Sequence, residues 1–214
     1  MIVSRVMTKN PVYVHPDASV TETRALMDRE QVGHLPVLDY DNSLAGIITR
    51  EDMIKAAPSQ ATTLDVYELS YLLTKMKVQE IMTKKVITVD ENEVVEEAAR
   101  IMSDKGIGCL PVMRDNLLVG IITDTDLFNV FVKAFGGRHP GVRITLILGE
   151  HPGVLARLGA AIAEKGGNIV SVVTTEADDV AHIRLTMRVE RIGRSEVEAA
   201  LQSVSDVAVE DIRE

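Results

Sequence analysis

A seven-residue segment that occurs twice constrains this chain more than any other feature. Gly46-Ile47-Ile48-Thr49-Arg50-Glu51-Asp52 returns as Gly120-Ile121-Ile122-Thr123-Asp124-Thr125-Asp126. Each copy runs a β-branched strand end straight into Thr-x-x-Asp, a form of capping box in which the Thr hydroxyl accepts from first-turn amides. A helix start with free N–H groups attracts anions, so the junction suits a phosphate, and the Asp carboxylate can accept from ribose hydroxyls. A plain helix cap explains one copy equally well. Two copies in equivalent places ask for more.

The surroundings repeat too. Met7-Thr8-Lys9 matches Met82-Thr83-Lys84, Val14 matches Val89, and Gly33-His34-Leu35-Pro36-Val37 matches Gly108-Cys109-Leu110-Pro111-Val112, each at an offset of 75 residues. From Gly46 to Gly120 the offset drops to 74, so one residue is lost in the turn before Gly120. Two copies at so long a period make a tandem duplication and not a solenoid, which needs three or more repeats to bury its core.

Within each copy the pattern reads strand, helix, strand, strand, helix. A strand is expected over Val12–Val14. Ser19 with Glu22 forms a capping box that opens a helix to about Glu30. In the second copy Val94 replaces Ser19, so Asn92 is the expected cap. Gly33 is expected to end the first helix, and Gly106 or Gly108 its counterpart. Leu35–Leu38 and Leu44–Ile48 read as strands, as do Leu110–Met113 and Leu117–Ile122. Ala56–Thr63 is a polar connector, and Leu64–Met76 has the spacing of an extra helix.

Gly136-Gly137-Arg138-His139-Pro140-Gly141 interrupts any regular element and is the strongest boundary signal. The domains are therefore placed at 1–60, 61–135 with the connecting helix, a linker at 136–141, and 142–214. Beyond the linker Val142–Leu148 alternates as a strand, Gly153–Lys165 is helical, and Ile169–Thr174 is a second strand. Ala181–Val189 alternates apolar with His182, Arg184, Thr186 and Arg188, and a helix over Arg194–Val204 precedes a last strand near Val207–Ile212. The order strand-helix-strand-strand-helix-strand is ferredoxin-like, so the whole is a mixed α/β (α+β) chain.

Charge narrows the function. A formal net charge of −9 and the lack of a basic stripe argue against nucleic acid, and 3% aromatic residues leave no platform for base stacking. No run approaches 18 apolar residues and no apolar signal-peptide core follows Met1, so a cytoplasmic location without a membrane partner is expected. One cysteine, Cys109, excludes an internal disulfide, and its apolar surroundings predict a buried thiol. The five histidines show no metal spacing, Gly106-Ile107-Gly108 lacks the third glycine of a dinucleotide fingerprint, and no nucleophile or acid/base motif is present. No catalytic residue, metal or cofactor is expected.

On the Gly-h-h-Thr-x-x-Asp endings and the Leu-Pro-Val strands, residues 1 to about 135 resemble a tandem pair of cystathionine-β-synthase (CBS) motifs. On His151-Pro152-Gly153-Val154-Leu155 and Gly167-Asn168-Ile169, residues 142–214 resemble an ACT domain, and the order of the two is similar to the AcuB-type proteins named for acetoin utilisation. The resemblance implies a pseudo-dimer of motifs with two clefts for adenosine-containing ligands. Thr49 and Thr123 would contact phosphate, and Asp52 and Asp126 would hold ribose. Asn10-Pro11-Val12 and Lys85-Val86-Ile87 would frame adenine, helped by His34-Leu35-Pro36 and Cys109-Leu110-Pro111. Arg50 would reach phosphate and Asp124, at the equivalent position, would repel it, so the more highly charged ligand is expected beside Thr49. In the ACT domain, His151–Leu155 with Asn168 and Ile169 would hold an effector such as an amino acid, although this family usually has Asp where Glu150 or His151 stands. The resemblance thus implies a non-catalytic regulator that senses adenine nucleotide, a homodimer, and a downstream protein partner that the sequence leaves unnamed. An oligomerisation scaffold with vestigial clefts is the alternative.

Overall fold

The computed structural model describes residues 1–56 and 75–214. The connector and the extra helix expected between Ala56 and Met76 fall, apart from their ends, outside the described residues. The chain divides into two compact units, Met1–Leu127 and Phe128–Glu214.

In the N-terminal unit the first motif comprises a 3₁₀ turn at Val3–Arg5, β1 (Thr8–Lys9), α1 (Val20–Arg29), β2 (His34–Leu38), β3 (Leu44–Thr49) and α2 (Arg50–Ala56). The second comprises α3 (Val78–Ile81), β4 (Val89–Asp90), α4 (Val95–Lys105), β5 (Cys109–Arg114), β6 (Leu117–Thr123) and the start of α5 (Asp124–Ala134), a helix that continues past Leu127. Where a strand was expected over Val12–Val14, only Val14 pairs, in a parallel bridge with Val37.

The motifs exchange strands. β1 of the first pairs antiparallel with β6 of the second, Thr8 opposite Ile121 and Lys9 opposite Gly120. The equivalent residues bridge in the other direction, with the Ile47 amide donating to the Thr83 carbonyl at 3.0 Å and the Thr83 amide to the Ile47 carbonyl at 2.9 Å. Each crossing needs a glycine. A Cβ on Gly46 would stand 2.6 Å from Met82 Sδ, and one on Gly120 would collide with Met7 Sδ. These contacts are closer than packed atoms tolerate, so the repeated glycine that opens each Ile-Ile-Thr makes room for the other motif's methionine.

Two cores form, each completed by the other motif's lead-in residues. Val3, Met7, Met102, Leu110, Val112 and Ile122 are buried together in one, and Met27, Leu35, Val37, Ile48, Met53 and Val78 in the other. Between them lies a small cluster of Ile47, Cys109 and Ile121, with Val86 packed against it. Cys109 is buried and free.

Two helix ends differ from expectation. Ser19 caps α1 as a full capping box with Glu22, but at α4 the cap position belongs to Val94, which forms no side-chain cap bond. Asn92 does not cap; its backbone amide donates to Asp90 Oδ1 at 2.9 Å, which closes the preceding turn. At the C-terminal ends, Gly106 takes φ +62° after α4, while Gln31 takes φ +55° at the matching place after α1. A left-handed residue is needed there in both copies, and Gln31 supplies it without glycine.

In the C-terminal unit β7 (Val142–Gly149), α6 (Val154–Glu164), β8 (Asn168–Glu176), β9 (His182–Glu190), α7 (Arg194–Gln202) and β10 (Val207–Arg213) form an antiparallel sheet of order β10-β7-β9-β8. This is the ferredoxin-like arrangement. Alternation decides the faces: Ile144, Leu146, Leu148, Leu185, Met187 and Val189 point toward Leu158, Ile162, Val197 and Leu201 of the two helices in one continuous core. On the other face Arg143 reaches Asp211 at 3.1 Å, Arg184 reaches Glu210 at 3.0 Å, and Arg188 donates to the carbonyls of His139 and Gly141. The Gly-Pro stretch is therefore tied to β9, and Gly136 is buried with Ser171 and Arg188 beside it.

Candidate functional site

Strand meets helix without a loop at both repeated segments. β3 ends at Thr49 and α2 begins at Arg50; β6 ends at Thr123 and α5 begins at Asp124. At the first junction Asp52 Oδ2 accepts from the Thr49 amide at 2.9 Å and the Thr49 hydroxyl at 2.8 Å, while the Asp52 amide donates to Thr49 Oγ1 at 3.1 Å. The second repeats this through Thr123 and Asp126 at 2.9, 2.9 and 3.4 Å. Both segments are complete reciprocal caps. Each cap uses Oδ2, so Oδ1 is the carboxylate oxygen that a ligand hydroxyl can meet.

Each cap opens on a cavity built from both motifs. The first, about 540 Å³, joins Thr49, Arg50 and Asp52 to Lys85, Val86 and Ile87, with Cys109 and Pro111 in its wall. The second, about 620 Å³, joins Thr123, Asp124 and Asp126 to Asn10, Pro11 and Val12, with His34 and Leu35. Strand exchange produces this crossing, because the segment after β1 follows β1 to the other motif's β6. Two of the expected lining residues line neither cavity. Leu110 is fully buried in the core around Met102 and Ile122, and Pro36 faces Ile47 within the β2–β3 pair.

The first cavity's charges differ from the expectation for Arg50. Its guanidinium donates to Asp28 Oδ1 at 2.6 Å and to the carbonyls of Met27 and Val32 at 3.1 and 3.2 Å. It fastens α2 to the C-terminal end of α1, where a cation meets the negative end of a helix. Lys55 pairs with Glu51 at 3.0 Å. Lys85 enters no ion pair among the described residues, and the sequence signal that found it was only its place beside Val86. In the second cavity Asp124 Oδ1 accepts from the Thr125 amide at 2.6 Å. Glu30, which sequence reasoning missed because α1 shows no mark of pointing its end there, also lines this cavity and pairs with Arg29 at 2.8 Å.

His34 lines both cavities. A Cβ on Gly108 would lie at ordinary contact distance, 3.5 Å, from both His34 Nε2 and Asp124 Oδ2, so these two groups stand beside Gly108 together. Burial holds the imidazole below its ordinary pKa, with the carboxylates of Asp124 and Asp52 pulling the other way. Burial, and then the same two carboxylates, push the Cys109 thiol up to about 12. A thiol so far from ionisation is a packing group and not a nucleophile.

In the C-terminal unit the expected effector residues separate. His151, Pro152, Gly153, Val154 and Leu155 line a depression of about 530 Å³ with Glu150 and Ile183. Asn168 and Ile169 do not. They sit opposite Glu190 and Val189, whereas the loop after Gly149 lies at the His182 end of β9. Eight residues of strand, ~26 Å at ~3.3 Å per residue, divide the two groups within one chain.

Residues 3–59 and 78–133 match the family model of the CBS domain. The chain belongs to the CBS-domain family. Residues 140–213 match the TTHA0829-like ACT domain, so the CBS pair is followed by an ACT-type unit, both regulatory modules. Among curated relatives, the L-aspartate semialdehyde sulfurtransferase of Methanocaldococcus jannaschii is 32% identical over 131 residues, 61% of this chain and 23% of that protein. The chain therefore spans about a quarter of that relative's length. Among solved structures, the CBS pair of protein MJ0100, in complex with 5′-methylthioadenosine and S-adenosyl-L-methionine, has a TM-score of 0.53 at 31% identity and covers 65% of this chain and 98% of that one. A Vibrio cholerae structure assigned to acetoin utilization (AcuB) has a TM-score of 0.54 at 27% identity, with coverage of 65% and 98%. Among the described residues no helix is long and apolar enough to cross a membrane.

Proposed function

We propose that this chain is a non-catalytic sensor whose CBS pair binds an adenosine-containing ligand. The observation that carries the proposal is the composite cavity: a reciprocal Thr/Asp cap from one motif facing an Asn-Pro-Val or Lys-Val-Ile segment from the other. A ligand in either cavity touches both motifs at once and so favours one relative arrangement of them over others. A ligand biases a conformational equilibrium only by such a difference in affinity. The likeness to a CBS pair solved with two adenosine compounds supports the choice of ligand class, and the AcuB likeness supports acetoin metabolism as the setting.

The ACT-type unit is proposed to pair copies into a homodimer. β8 is an edge strand of nine residues, paired with β9 on one side and with no strand on its outer side among the described residues. The separation of His151 from Asn168 favours an effector pocket, for an amino acid, completed by the partner copy. A scaffold with vestigial clefts is the second reading, favoured by the caps and the Arg50 anchor, which satisfy most of the junction's polar groups internally.

Thermal unfolding with AMP, ADP, ATP, S-adenosylmethionine and 5′-methylthioadenosine, followed by calorimetric titration, tests the sensor reading. A compound at a hundred times its dissociation constant adds ~2.7 kcal/mol of stability. The expected result is a rise in Tm that disappears in the Asp52→Ala, Asp126→Ala double variant. An unchanged Tm with every compound, in folded protein free of carried-over ligand, moves the conclusion to the scaffold.

A further inference from the structure

We infer that the two cavities sort adenosine ligands by charge: the Thr49 cavity takes a phosphorylated nucleotide, and the Thr123 cavity takes a phosphate-free adenosine whose 5′ substituent is neutral or cationic. This rests on the sensor reading above. The caps cannot discriminate, since they are the same in both. The difference lies in the charged side chains around them.

The first cavity presents Arg50, Lys55 and Lys85 against Glu51 and Asp52. The second presents Glu30, Asp124 and Asp126 with no lysine or arginine. Closing the ion pairs sharpens the contrast. Asp28 neutralises Arg50, Glu51 neutralises Lys55 and Arg29 neutralises Glu30. What is left is Lys85 with the capping Asp52 in the first cavity, and Asp124 with the capping Asp126 in the second.

Lys85 and Asp124 belong to the same motif but face different cavities, and the duplication shows what each replaces. The repeat partner of Lys85 is Asn10 in the second cavity, and that of Asp124 is Arg50 in the first. At both positions the exchange makes the second cavity more negative. A phosphate at the start of α5 would meet the Asp124 carboxylate within the first turn of the helix, where the helix end would otherwise attract it. A cationic or neutral 5′ group has no such conflict, and Asp124 attracts the former.

Calorimetric titration of the full chain with AMP and with S-adenosylmethionine tests this, using Asp52→Asn and Asp126→Asn to identify the occupied cavity and Tm to confirm folding. AMP is expected to bind once and to be lost with Asp52→Asn; S-adenosylmethionine is expected to be lost with Asp126→Asn. Lys85→Asn should weaken AMP roughly fivefold, the scale of an exposed charge pair, and leave S-adenosylmethionine unchanged. Asp124→Arg should do the reverse and open a second AMP site. AMP filling both cavities of the parent with equal affinity, or the two ligands exchanging places, overturns the sorting while the sensor reading stands. Failure of both compounds to bind either cavity removes the sensor reading and the sorting together.

Discussion

The two units bury their apolar residues in opposite ways. The ACT-type unit has one continuous core running from Val142 to Val204 under a four-stranded sheet. The CBS pair divides its apolar residues between two cores of similar size and joins them through Ile47, Cys109, Ile121 and Val86. A single core fixes one arrangement, because every side chain in it has neighbours on all sides. Two cores with a thin join leave the arrangement of the motifs to the exchanged lead-in segments, a handful of side chains and whatever fills the cavities beside them. Under the proposed function the difference suits the parts to different work, one to hold a shape and the other to report a ligand.

Cutting into each kind of core tests that contrast most strongly. Leu146→Ala should cost toward the upper end of ~2–5 kcal/mol, felt throughout the C-terminal unit, whereas Ile121→Ala at the join should fall toward the lower end. Hydrogen exchange followed unit by unit checks this, and equal costs would contradict the distinction. The strand exchange comes next. Gly120→Ala forces Met7 to move and should cost ~1–3 kcal/mol, a penalty that Met7→Ala in the same chain should partly relieve. Urea midpoints of the two singles and the double give the coupling, and simple additivity would mean that the close approach carries no strain.

The smallest expected effect concerns His34, between the cavities. Its folded pKa lies below the ordinary value of 6.5, so the unfolded chain takes up the proton first. The contribution of neutral His34 is complete above pH 6.5 and is lost as pH falls through that value toward the folded one. Comparing unfolding at pH 7.5 and 5.5 in the parent and in His34→Gln isolates it, since the remaining groups titrate alike in both. The parent should lose more stability on acidification than the variant.

The sequence made the duplication, the α/β class and the capping boxes legible because all three are local patterns. The same residues that repeat, Gly46 with Gly120 and Thr49-Asp52 with Thr123-Asp126, turned out to be the crossing points and the caps. What stayed hidden depends on partners distant in the chain. Nothing near Arg50 says that its guanidinium goes to the end of α1, and nothing near Leu110 separates a residue of the core from one of the cavity wall. The crossed pairing of Lys85 with Thr49, and of Asn10 with Thr123, follows from the exchange of strands, which a repeat alone does not specify. Gln31 hid a left-handed turn because Gly33, two residues further on, was the expected stop. In the C-terminal unit the loop after β7 and the start of β8 each read correctly as elements, yet the antiparallel register of β8 on β9 sends them to opposite ends.

The exchange of strands also bears on descent. In each motif the lead-in segment pairs with the third strand of the other copy and not with its own. Two identical motifs would satisfy each other about a two-fold axis, and symmetry would then force both cavities to carry the same charges. Joining the copies in one chain lifts that constraint. Once fused, the halves can mutate separately, and Asp124 can stand where its sister motif keeps Arg50.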